Sequence, residues 1–281
     1  MLVLVLVLVP AAGRPVAEPA SLGPVWTIVL AAGGGTRFGG RKQFFDLGGE
    51  PLVAHPVAAA SPASDGIVVV TPAVADVTPA VAEQAAGGAA GRAYHTTWTP
   101  PPGVRIVDGG ATRAQSVRAG LAGVPLDAGI IVITDAAHPL ATAALYRRVV
   151  DEVRAGADAA VPGLQLTEVV KQARPVAGPG GAGARLVAGA SLAREEHRLV
   201  QTPHAFRADL LRAAHARADE AVEDSAMVAA AGGQVVIVPG EPANIHVTTP
   251  DELAMARLLL THVRSGGEHD EFGAGRVHAV R

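Results

Sequence analysis

Short apolar runs alternate with amphipathic segments through the middle of the chain. The runs predict buried strands at Thr27–Leu30, Ile67–Val70, Val104–Val107, Ile130–Ile133 and Ala157–Val161. The segments between them predict helices at Pro51–Ala60, Pro79–Ala86, Arg113–Leu121 and Leu140–Ala155. Strands that alternate with helices at this spacing predict an α/β fold, with a doubly wound, mostly parallel sheet.

Residues 163–196 break this alternation. Two apolar stretches, Leu164–Val170 and Arg185–Val187, flank a tip at 175–183 that is rich in proline and glycine. This pattern indicates a long β-hairpin. Because an isolated hairpin is barely stable in water, we expect this protruding arm to pack on another surface. After the arm, the sequence predicts helices at Ala208–Arg217, Val222–Ala231 and Pro250–His262 and a strand at Gln234–Val238.

The two ends of the chain lack this pattern. Residues 1–24 include the run LVLVLVLV, which is much shorter than the roughly 20 residues of a membrane span. We expect 1–24 to be a disordered extension or a mis-assigned start; a secretion signal is the alternative, which the missing positive segment disfavours. Residues 265–281 are rich in glycine and charge and predict a disordered tail. The domain is therefore expected to span 25–264.

The first strand runs into a glycine-rich basic loop, TIVLAAGGGTRFGGRKQ at 27–43. A segment with few side chains lets backbone N–H groups approach an anion closely. Arg37, Arg41 and Lys42 add positive charge, so the loop predicts a phosphate site, with a flexible surface turn as the alternative. The Walker pattern fails around Lys42, and Phe38 stands where the dinucleotide fingerprint needs glycine. An ordinary ATPase or dehydrogenase is therefore not favoured.

Other strand ends place polar residues at the same edge of the predicted sheet. Ligands of such sheets bind beyond the carboxyl ends of the strands, where Gly110 and Asp135 also fall. A carboxylate at Asp135, beside a triphosphate loop, suits Mg²⁺ or another divalent cation, although a turn or helix-capping residue is the alternative. Arg113 and Ser116 lie one helical turn apart, so both can face the loop.

Composition narrows the classes of partner. The chain has 281 residues, of which 49% are hydrophobic, which is enough for one sizeable core. With a net charge of −3, we expect no bulk attraction to nucleic acid. The absence of cysteine excludes thiolate catalysis, disulfides and cysteine-based zinc sites. Lys42 and Lys171 are the only lysines in a chain that otherwise uses arginine, which gives modest support to a site role for both.

Several motifs resemble the 2-C-methyl-D-erythritol 4-phosphate cytidylyltransferase family, a branch of the sugar-nucleotide pyrophosphorylase-like nucleotidyltransferases. AAGGGTRF at 31–38 is similar to the family's nucleotide loop, and VDGGATRAQSV at 107–117 to its G-G-x-x-R-x-x-S-V block. TDAAHPL at 134–140 resembles D-A-A-R-P, QTPHAF at 201–206 resembles Q-T-P-Q-x-F, and NIHVTTPDELAMA at 244–256 resembles N-I-K-[IV]-T-x-P-x-D-L. The motifs follow the family's order across 27–260.

The resemblance implies that an acceptor phosphate attacks the α-phosphorus of CTP and pyrophosphate leaves. It assigns catalytic roles to Arg37, Lys42 and Arg194, nucleotide contacts to Ala31, Ala32, Gly33, Gly35, Gly110, Arg113 and Ser116, and Mg²⁺ to Asp135. It assigns the acceptor to His138, Glu168, Lys171 and His246. It further implies a Rossmann-like fold and a cytoplasmic homodimer that the 163–196 arm clasps, without nucleic-acid or membrane partners.

Departures from the family pattern fall in the half that would hold methylerythritol phosphate. They are His138 for an arginine, His246 for a lysine, Glu168 and Val169 for an Asp-Thr pair, Ala243 for an acid and Glu223 for a threonine. Two permanent cations thereby become histidines, which are largely neutral at pH 7. Transfer to another polyol or sugar phosphate is therefore the alternative, as is a weakly active paralogue that binds nucleotide.

Overall fold

The computed structural model describes residues 22–34, 38, 40–72, 98–178, 184–217 and 223–264. The helix predicted at Pro79–Ala86 lies outside the described residues, as do Gly35, Arg37, residues 1–21 and the tail from 265. Within the described part, no helix has both the length and the apolar character that crossing a membrane would require.

The strands and helices follow the predicted alternation. Within the described residues the strands are β1 (Val25–Leu30), β2 (Asp46–Leu47), β3 (Glu50–Pro51), β4 (Gly66–Thr71), β5 (Arg105–Asp108), β6 (Ile130–Asp135), β7 (Ala159–Gln165), β8 (Lys171–Val176), β9 (Arg185–Ser191), β10 (Arg198–Val200), β11 (His204–Arg207) and β12 (Val235–Pro239). The helices are α1 (Ala54–Ala60), α2 (Arg113–Gly123), α3 (Ala143–Arg154), α4 (Ala208–Arg217), α5 (Asp224–Ala230) and α6 (Pro250–Arg264).

A mostly parallel sheet forms the centre of the domain and confirms the predicted fold class. In the described chain it has eight strands. Seven of them follow the order β10-β7-β11-β6-β1-β4-β5, and the eighth, β12, also pairs with β7. Strands β5, β4, β1 and β6 are parallel, and so are β7 and β12. Strand β11 runs antiparallel between β6 and β7. The carboxyl ends of β1, β4, β5 and β6 therefore meet at one edge.

Apolar residues on both faces of β1 explain why helices cover the sheet on both sides. Val25 and Val29 face a cluster that includes side chains of α1 and α3. Trp26 and Ile28 face the opposite cluster, to which α2, α4 and α5 contribute. A strand buried on both faces has a nearly continuous apolar sequence, which is why the short apolar run Thr27–Leu30 located β1.

A small hairpin and the C-terminal helix form a third core that sequence reasoning missed. Strands β2 and β3 pair across Gly48 and Gly49, whose φ angles of 67° and 95° suit a tight two-residue turn. Leu47 and Leu52 pack there against Leu253 of α6. The helix predicted at Pro51–Ala60 therefore begins later, at Ala54, because Pro51 belongs to β3.

Two other predicted boundaries were displaced for local reasons. The helix predicted from Leu140 begins at Ala143, because the Thr142 hydroxyl accepts a hydrogen bond from Leu145 N at 3.2 Å and caps the helix. The strand predicted at Ala157–Val161 is β7, which starts two residues later, at Ala159. It also ends later, at Gln165, because its final residues pair with β10.

The arm is a two-stranded hairpin, but its first predicted strand was wrong. Leu164 belongs to β7 of the central sheet, where it pairs with Leu199 of β10, so the arm's own strands are β8 and β9. Nearly every residue of these strands is exposed, including Leu186 at 75%. The arm thus has no core of its own within the described chain.

Glu252 stabilises the start of α6, and we expect Glu252→Gln to lower the free energy of unfolding by about 0.5–2 kcal/mol at pH 7. Its carboxylate accepts hydrogen bonds from Thr248 N at 2.6 Å and Thr249 N at 2.7 Å. Burial alone would raise the pKa of Glu252, but hydrogen bonds from both threonines outweigh it and lower the pKa to about 2.

The pH dependence of this stabilisation has a defined sign. A carboxyl whose folded pKa is depressed stabilises the fold above its unfolded pKa of roughly 4.3. This contribution is lost as the pH falls toward the folded value of about 2. Thermal unfolding of both proteins between pH 7 and pH 2.5 should therefore show melting temperatures that converge below pH 4. A constant gap across that range would contradict the assigned role.

Candidate active site

Three loops leave the sheet side by side at the carboxyl edge. Ala31 N donates to Val70 O at 2.8 Å, which ties the glycine loop to β4. Gly109 N donates to Thr71 O at 2.7 Å, and Ala136 N donates to Leu30 O at 2.9 Å. Backbone hydrogen bonds between neighbouring strands thus bring the glycine loop, the turn after β5 and the segment after β6 to one place.

Close packing at Gly109 joins the glycine loop to the turn before α2. A Cβ atom at this position would lie 2.5 Å from Ala32 Cβ and 3.0 Å from Ser116 Oγ, so only glycine fits. A Cβ on Gly33, by contrast, would have no atom of the described residues within 4 Å. The loop is thus held at Ala32 and open at Gly33, as a surface for an anion requires.

Side chains of α2 fix the backbone of the second loop. Ser116, which is buried, accepts a hydrogen bond from Gly110 N at 3.2 Å. Ala111 N donates to Gln115 Oε1 at 2.8 Å, and Thr112 caps the helix as predicted. The structure therefore brings Gly110 and Ser116 together beside Ala32, three of the residues expected at the nucleotide.

Arg113 points toward a buried acid that sequence reasoning did not assign to the site. Its guanidinium lies 2.7 Å from Asp224, the first residue of α5, whose side chain is 1% exposed. His215 of α4 contacts the other carboxylate oxygen at 2.9 Å. Burial alone would raise the pKa of Asp224, but His215 and Arg113 outweigh it and lower the pKa. Arg113 is thus held by α5. Its guanidinium also lies close enough to Asp135 for the negative charge of that carboxylate to act on it.

Lys42 meets the C-terminal segment at the same edge. Its Nζ donates to Val247 O at 2.8 Å, and Val247 N in turn donates to Ala137 O at 2.8 Å. Residues far apart in sequence are therefore adjacent: Lys42 after the glycine loop, Ala137 after β6, and Val247 before α6. The structure brings Lys42 together with the segment that carries Asp135 and His138.

His138 and His246 form a stacked pair at this junction. Their ring centroids lie 4.7 Å apart and the ring planes differ by 12°. His138 is only 6% exposed and its Nδ1 lies 3.3 Å from Asn244 Oδ1. Burial, and next the charge of His246, lower the pKa of His138 to about 4. The pKa of His138 thus lies below the unperturbed value of roughly 6.5, which favours a neutral ring at pH 7.

Gln201 and Asn244 support this pair, and sequence reasoning gave neither a role. The Gln201 amide donates to Glu241 O and to Asn244 O, both at 2.8 Å. Asn244 Nδ2 donates to Thr202 O at 2.8 Å. Gln201 and Asn244 belong to the quoted motifs QTPHAF and NIHV, and this membership was the only feature of the sequence that could have indicated a supporting role for them.

Asp135 presents a half-buried carboxylate at the centre of the edge. Its backbone N donates to Thr202 Oγ1 at 3.3 Å. In the described chain no side chain forms a hydrogen bond or ion pair with the carboxylate, whose charge acts on Arg113, His138 and His204. No cluster of three metal-ligating side chains occurs among the described residues. A cation here would therefore rely on Asp135 and on oxygens of the substrate.

The arm residues lie apart from these groups. Arg194 donates to Thr167 O at 2.8 Å and Lys171 donates to Ser191 Oγ at 3.0 Å, and both are exposed. Glu168 is exposed nearby. Within the described chain no contact joins these three residues to Lys42, Asp135 or His138. Arg37 and Gly35 lie outside the described residues, so their predicted roles stay predictions.

Comparisons with known proteins agree with the motifs. A family model for 2-C-methyl-D-erythritol 4-phosphate cytidylyltransferase matches residues 25–262. The protein of that name from Nocardia farcinica is 40% identical over 242 residues, which cover 85% of this chain and 94% of the relative. A bifunctional enzyme IspD/IspF from Solidesulfovibrio magneticus is 39% identical over 240 residues. The alignment covers 82% of this chain but only 56% of that relative.

Solved structures share the fold. The crystal structure of 2-C-methyl-D-erythritol 4-phosphate cytidylyltransferase from Thermus thermophilus has a TM-score of 0.61 and 29% identity, covering 84% of this chain and 98% of that one. A 4-diphosphocytidyl-2C-methyl-D-erythritol synthase from Anaerococcus prevotii has a TM-score of 0.64 at 20% identity, covering 86% of this chain and 100% of that one. With a matching family model over most of its length, the chain belongs to the 2-C-methyl-D-erythritol 4-phosphate cytidylyltransferase family.

Proposed function

We propose that this protein transfers the cytidylyl group of CTP to 2-C-methyl-D-erythritol 4-phosphate, with release of pyrophosphate. The observation that carries the proposal is the convergence at one sheet edge of the glycine loop, the Gly110–Ser116 turn, the segment after β6 that carries Asp135, and Lys42, which Val247 links to that segment. Backbone groups of Ala31 and Gly110, with Ser116, would recognise the base, and Gly33 and Gly35 would lie along the phosphates. The product would be the cytidine diphosphate ester of methylerythritol, an isoprenoid precursor of the non-mevalonate route.

The chemistry needs alignment and charge neutralisation. Nucleotidyl transfer proceeds in line and forms no covalent intermediate with the protein. Lys42 and Arg37 would stabilise the negative charge that accumulates on the α-phosphate. The carboxylate of Asp135, which forms no hydrogen bond or ion pair with the described residues, would suit a Mg²⁺ ion, whose other ligands would come from phosphates and water. When bound, the ion would supply further neutralisation of the phosphate oxygens.

The arm fits a homodimer in which each chain's arm contacts its partner. Apolar side chains on both strands, such as Leu186 and Val176, are exposed and belong to none of the hydrophobic clusters formed by the described residues. Arg194, Glu168 and Lys171 at the base of the arm would then complete the acceptor site of the other subunit. This arrangement also explains why no hydrogen bond or ion pair among the described residues joins them to Lys42 or Asp135.

Replacement of residues 172–190 by a short Gly-Ser turn should convert the dimer to a monomer. The deletion keeps the Lys171 and Ser191 pair, and it leaves β7, β10 and Arg194 in place. Light scattering at micromolar concentration should show half the mass of the parent protein, with activity lost as well. The matched control, Arg194→Ala, should stay dimeric and lose activity only. A parent protein that is already monomeric would refute the dimer.

A second candidate is the same reaction with another polyol or sugar phosphate. The stacked pair of His138 and His246 favours it, because two cations of the family pattern are absent. Pyrophosphate release from CTP, measured with a panel of acceptors, separates the candidates. Methylerythritol phosphate should give the highest kcat/KM, whereas a better polyol or sugar phosphate would favour the second candidate. Nucleotide binding with no turnover on any acceptor would indicate the weakly active paralogue and overturn both.

A further inference from the structure

His204 and Glu223 meet in the structure, and both depart from the family pattern. His204 is the buried first residue of β11, and Glu223 precedes α5 and is partly exposed. His204 Nδ1 lies 3.3 Å from Glu223 Oε1. His204 stands where the Q-T-P-Q-x-F motif has its second glutamine, and Glu223 stands where the pattern has a threonine. Substitutions that touch each other are expected to be energetically coupled.

The two ring nitrogens of His204 have different surroundings. Nε2 donates a hydrogen bond to Gln201 O at 2.9 Å, and because a carbonyl oxygen only accepts, Nε2 carries a proton. Nδ1 is buried and forms no hydrogen bond with the described residues, although it lies beside the Glu223 carboxylate. A bare ring nitrogen and a carboxylate would set two lone pairs against each other, so the contact becomes favourable when one proton lies between them.

The same negative charges act on His204 and on Arg113. Burial lowers the pKa of His204, whereas the carboxylates of Glu223, Asp135 and Asp224 act in the opposite direction. These three carboxylates also act on Arg113, which contacts Asp224 at 2.7 Å. A proton held between His204 and Glu223 relieves repulsion among the three acids. The pair is therefore part of the charged group that holds Arg113.

Glu223 connects His204 to Arg113 through the start of α5. Its carboxylate accepts hydrogen bonds from Ser225 N at 3.2 Å and from the Ser225 hydroxyl, and so caps the helix. The next residue is Asp224, the partner of the Arg113 guanidinium. Arg113 in turn begins α2, directly after the turn beside the glycine loop. The position of Glu223 thus sets the point from which Asp224 reaches Arg113.

We propose that His204 and Glu223 are a coupled pair of positioning residues, which fix the start of α5 and thereby hold Arg113 in the orientation that binds CTP. This inference rests on the part of the proposed function that places CTP beside Arg113. A contact that served only the stability of the fold would leave CTP affinity unchanged when broken. Loss of this contact should instead weaken CTP binding in a protein that remains folded.

Two substitutions at His204 separate the roles of its ring nitrogens. Glutamine reaches the position of Nε2 and can still donate to Gln201 O, but it leaves the Nδ1 side empty. Asparagine places its amide at the position of Nδ1 and can still donate to Glu223. In full-length protein with Mg²⁺, calorimetry should show that His204→Gln raises the Kd for CTP about threefold to tenfold, and that His204→Asn stays within about twofold of wild type. The control His262→Gln makes the same change at an exposed histidine and should match wild type.

A double-mutant cycle with Glu223→Thr tests the coupling. Threonine is a good helix cap, so this change keeps the cap of α5 and removes the group beside Nδ1. Alone, it should raise the Kd for CTP by a factor similar to that of His204→Gln. In the Glu223→Thr protein, His204→Gln should have no further effect. Urea titrations should show that each variant is folded.

The outcomes separate this inference from the proposed function. Additive effects of the two substitutions on the Kd for CTP would overturn the pair, as would equal effects of glutamine and asparagine at His204. A loss of stability in His204→Gln with unchanged CTP affinity would also overturn it. Wild-type protein that binds CTP but transfers it to no acceptor would count against the proposed function, and the cycle in CTP affinity would still decide the pair.

Discussion

Lys42→Ala should lower kcat by about 10²–10³ while the protein remains folded. Lys42 is a preorganised cation at the carboxyl edge, where its Nζ donates to Val247 O at 2.8 Å. In the proposed reaction it neutralises charge that develops on the α-phosphate, so its loss acts mainly on the transition state. Steady-state pyrophosphate release measures the effect, and circular dichroism checks the fold.

Two comparison variants make the Lys42 result specific. Arg154→Ala removes an exposed cation whose ion pair with Asp151 lies at the end of α3, so its activity should stay near that of wild type. Lys42→Arg keeps the charge but changes its shape, and it should recover only part of the rate. Near wild-type turnover in Lys42→Ala would remove Lys42 from the catalytic site. The same substitution at Arg37 should have a comparable effect.

Asp224→Ala should lower the free energy of unfolding by about 3–5 kcal/mol, the usual cost of removing one partner of a buried ion pair. The carboxylate is the shared partner of Arg113 and His215, and the side chain of His215 is only 2% exposed. Its removal leaves both groups without their acceptor. Because Arg113 begins α2, the loss should also loosen the Gly110 turn and raise the KM for CTP.

An exposed ion pair in the same region provides the control for Asp224. Asp209 contacts Arg207 at 3.0 Å, but its side chain is 64% exposed. Asp209→Ala should therefore change the free energy of unfolding by no more than about 1 kcal/mol. Urea titrations of both variants give the comparison. If Asp224→Ala cost no more than Asp209→Ala, the buried network would not be the support that we describe.

How well each element of the fold could be predicted depended on whether neighbouring residues in the sequence are enough to define it. Strands such as β1 and β6 were located because residues buried on both faces give continuous apolar runs. Helix α4 was placed at its observed bounds, and Thr112 was identified as a cap because capping is local. The β2–β3 hairpin was missed because two-residue strands have no periodicity to detect.

The arm shows where local pattern fails. Leu164 has the apolar character of an arm strand, yet it pairs with Leu199 of β10, which comes after the arm. A choice between two partners at different sequence distances depends on the assembled sheet, and the sequence pattern alone does not contain that information.

The candidate residues at the carboxyl edge could be picked out from the sequence, but the contacts between distant segments that hold them could not. Glycines and cations indicated a candidate phosphate site in the loop after β1, and the motifs gave the order of Lys42, Asp135 and His246 along the chain. The burial of Asp224 between α2 and α4, and the contact of Asn244 with His138, arise only when distant segments pack. Burial also lowers the pKa of His138 to about 4, which no single-residue reference value anticipates.

The identity of the reaction product tests the proposed function most directly. The full-length protein is incubated with CTP, Mg²⁺ and 2-C-methyl-D-erythritol 4-phosphate, and the mixture is followed by ³¹P nuclear magnetic resonance and mass spectrometry. We expect equal amounts of pyrophosphate and of a cytidine diphosphate ester of methylerythritol, with no product when the acceptor is omitted. Unchanged CTP in the complete mixture, or simple hydrolysis of CTP that does not depend on the acceptor, would contradict it.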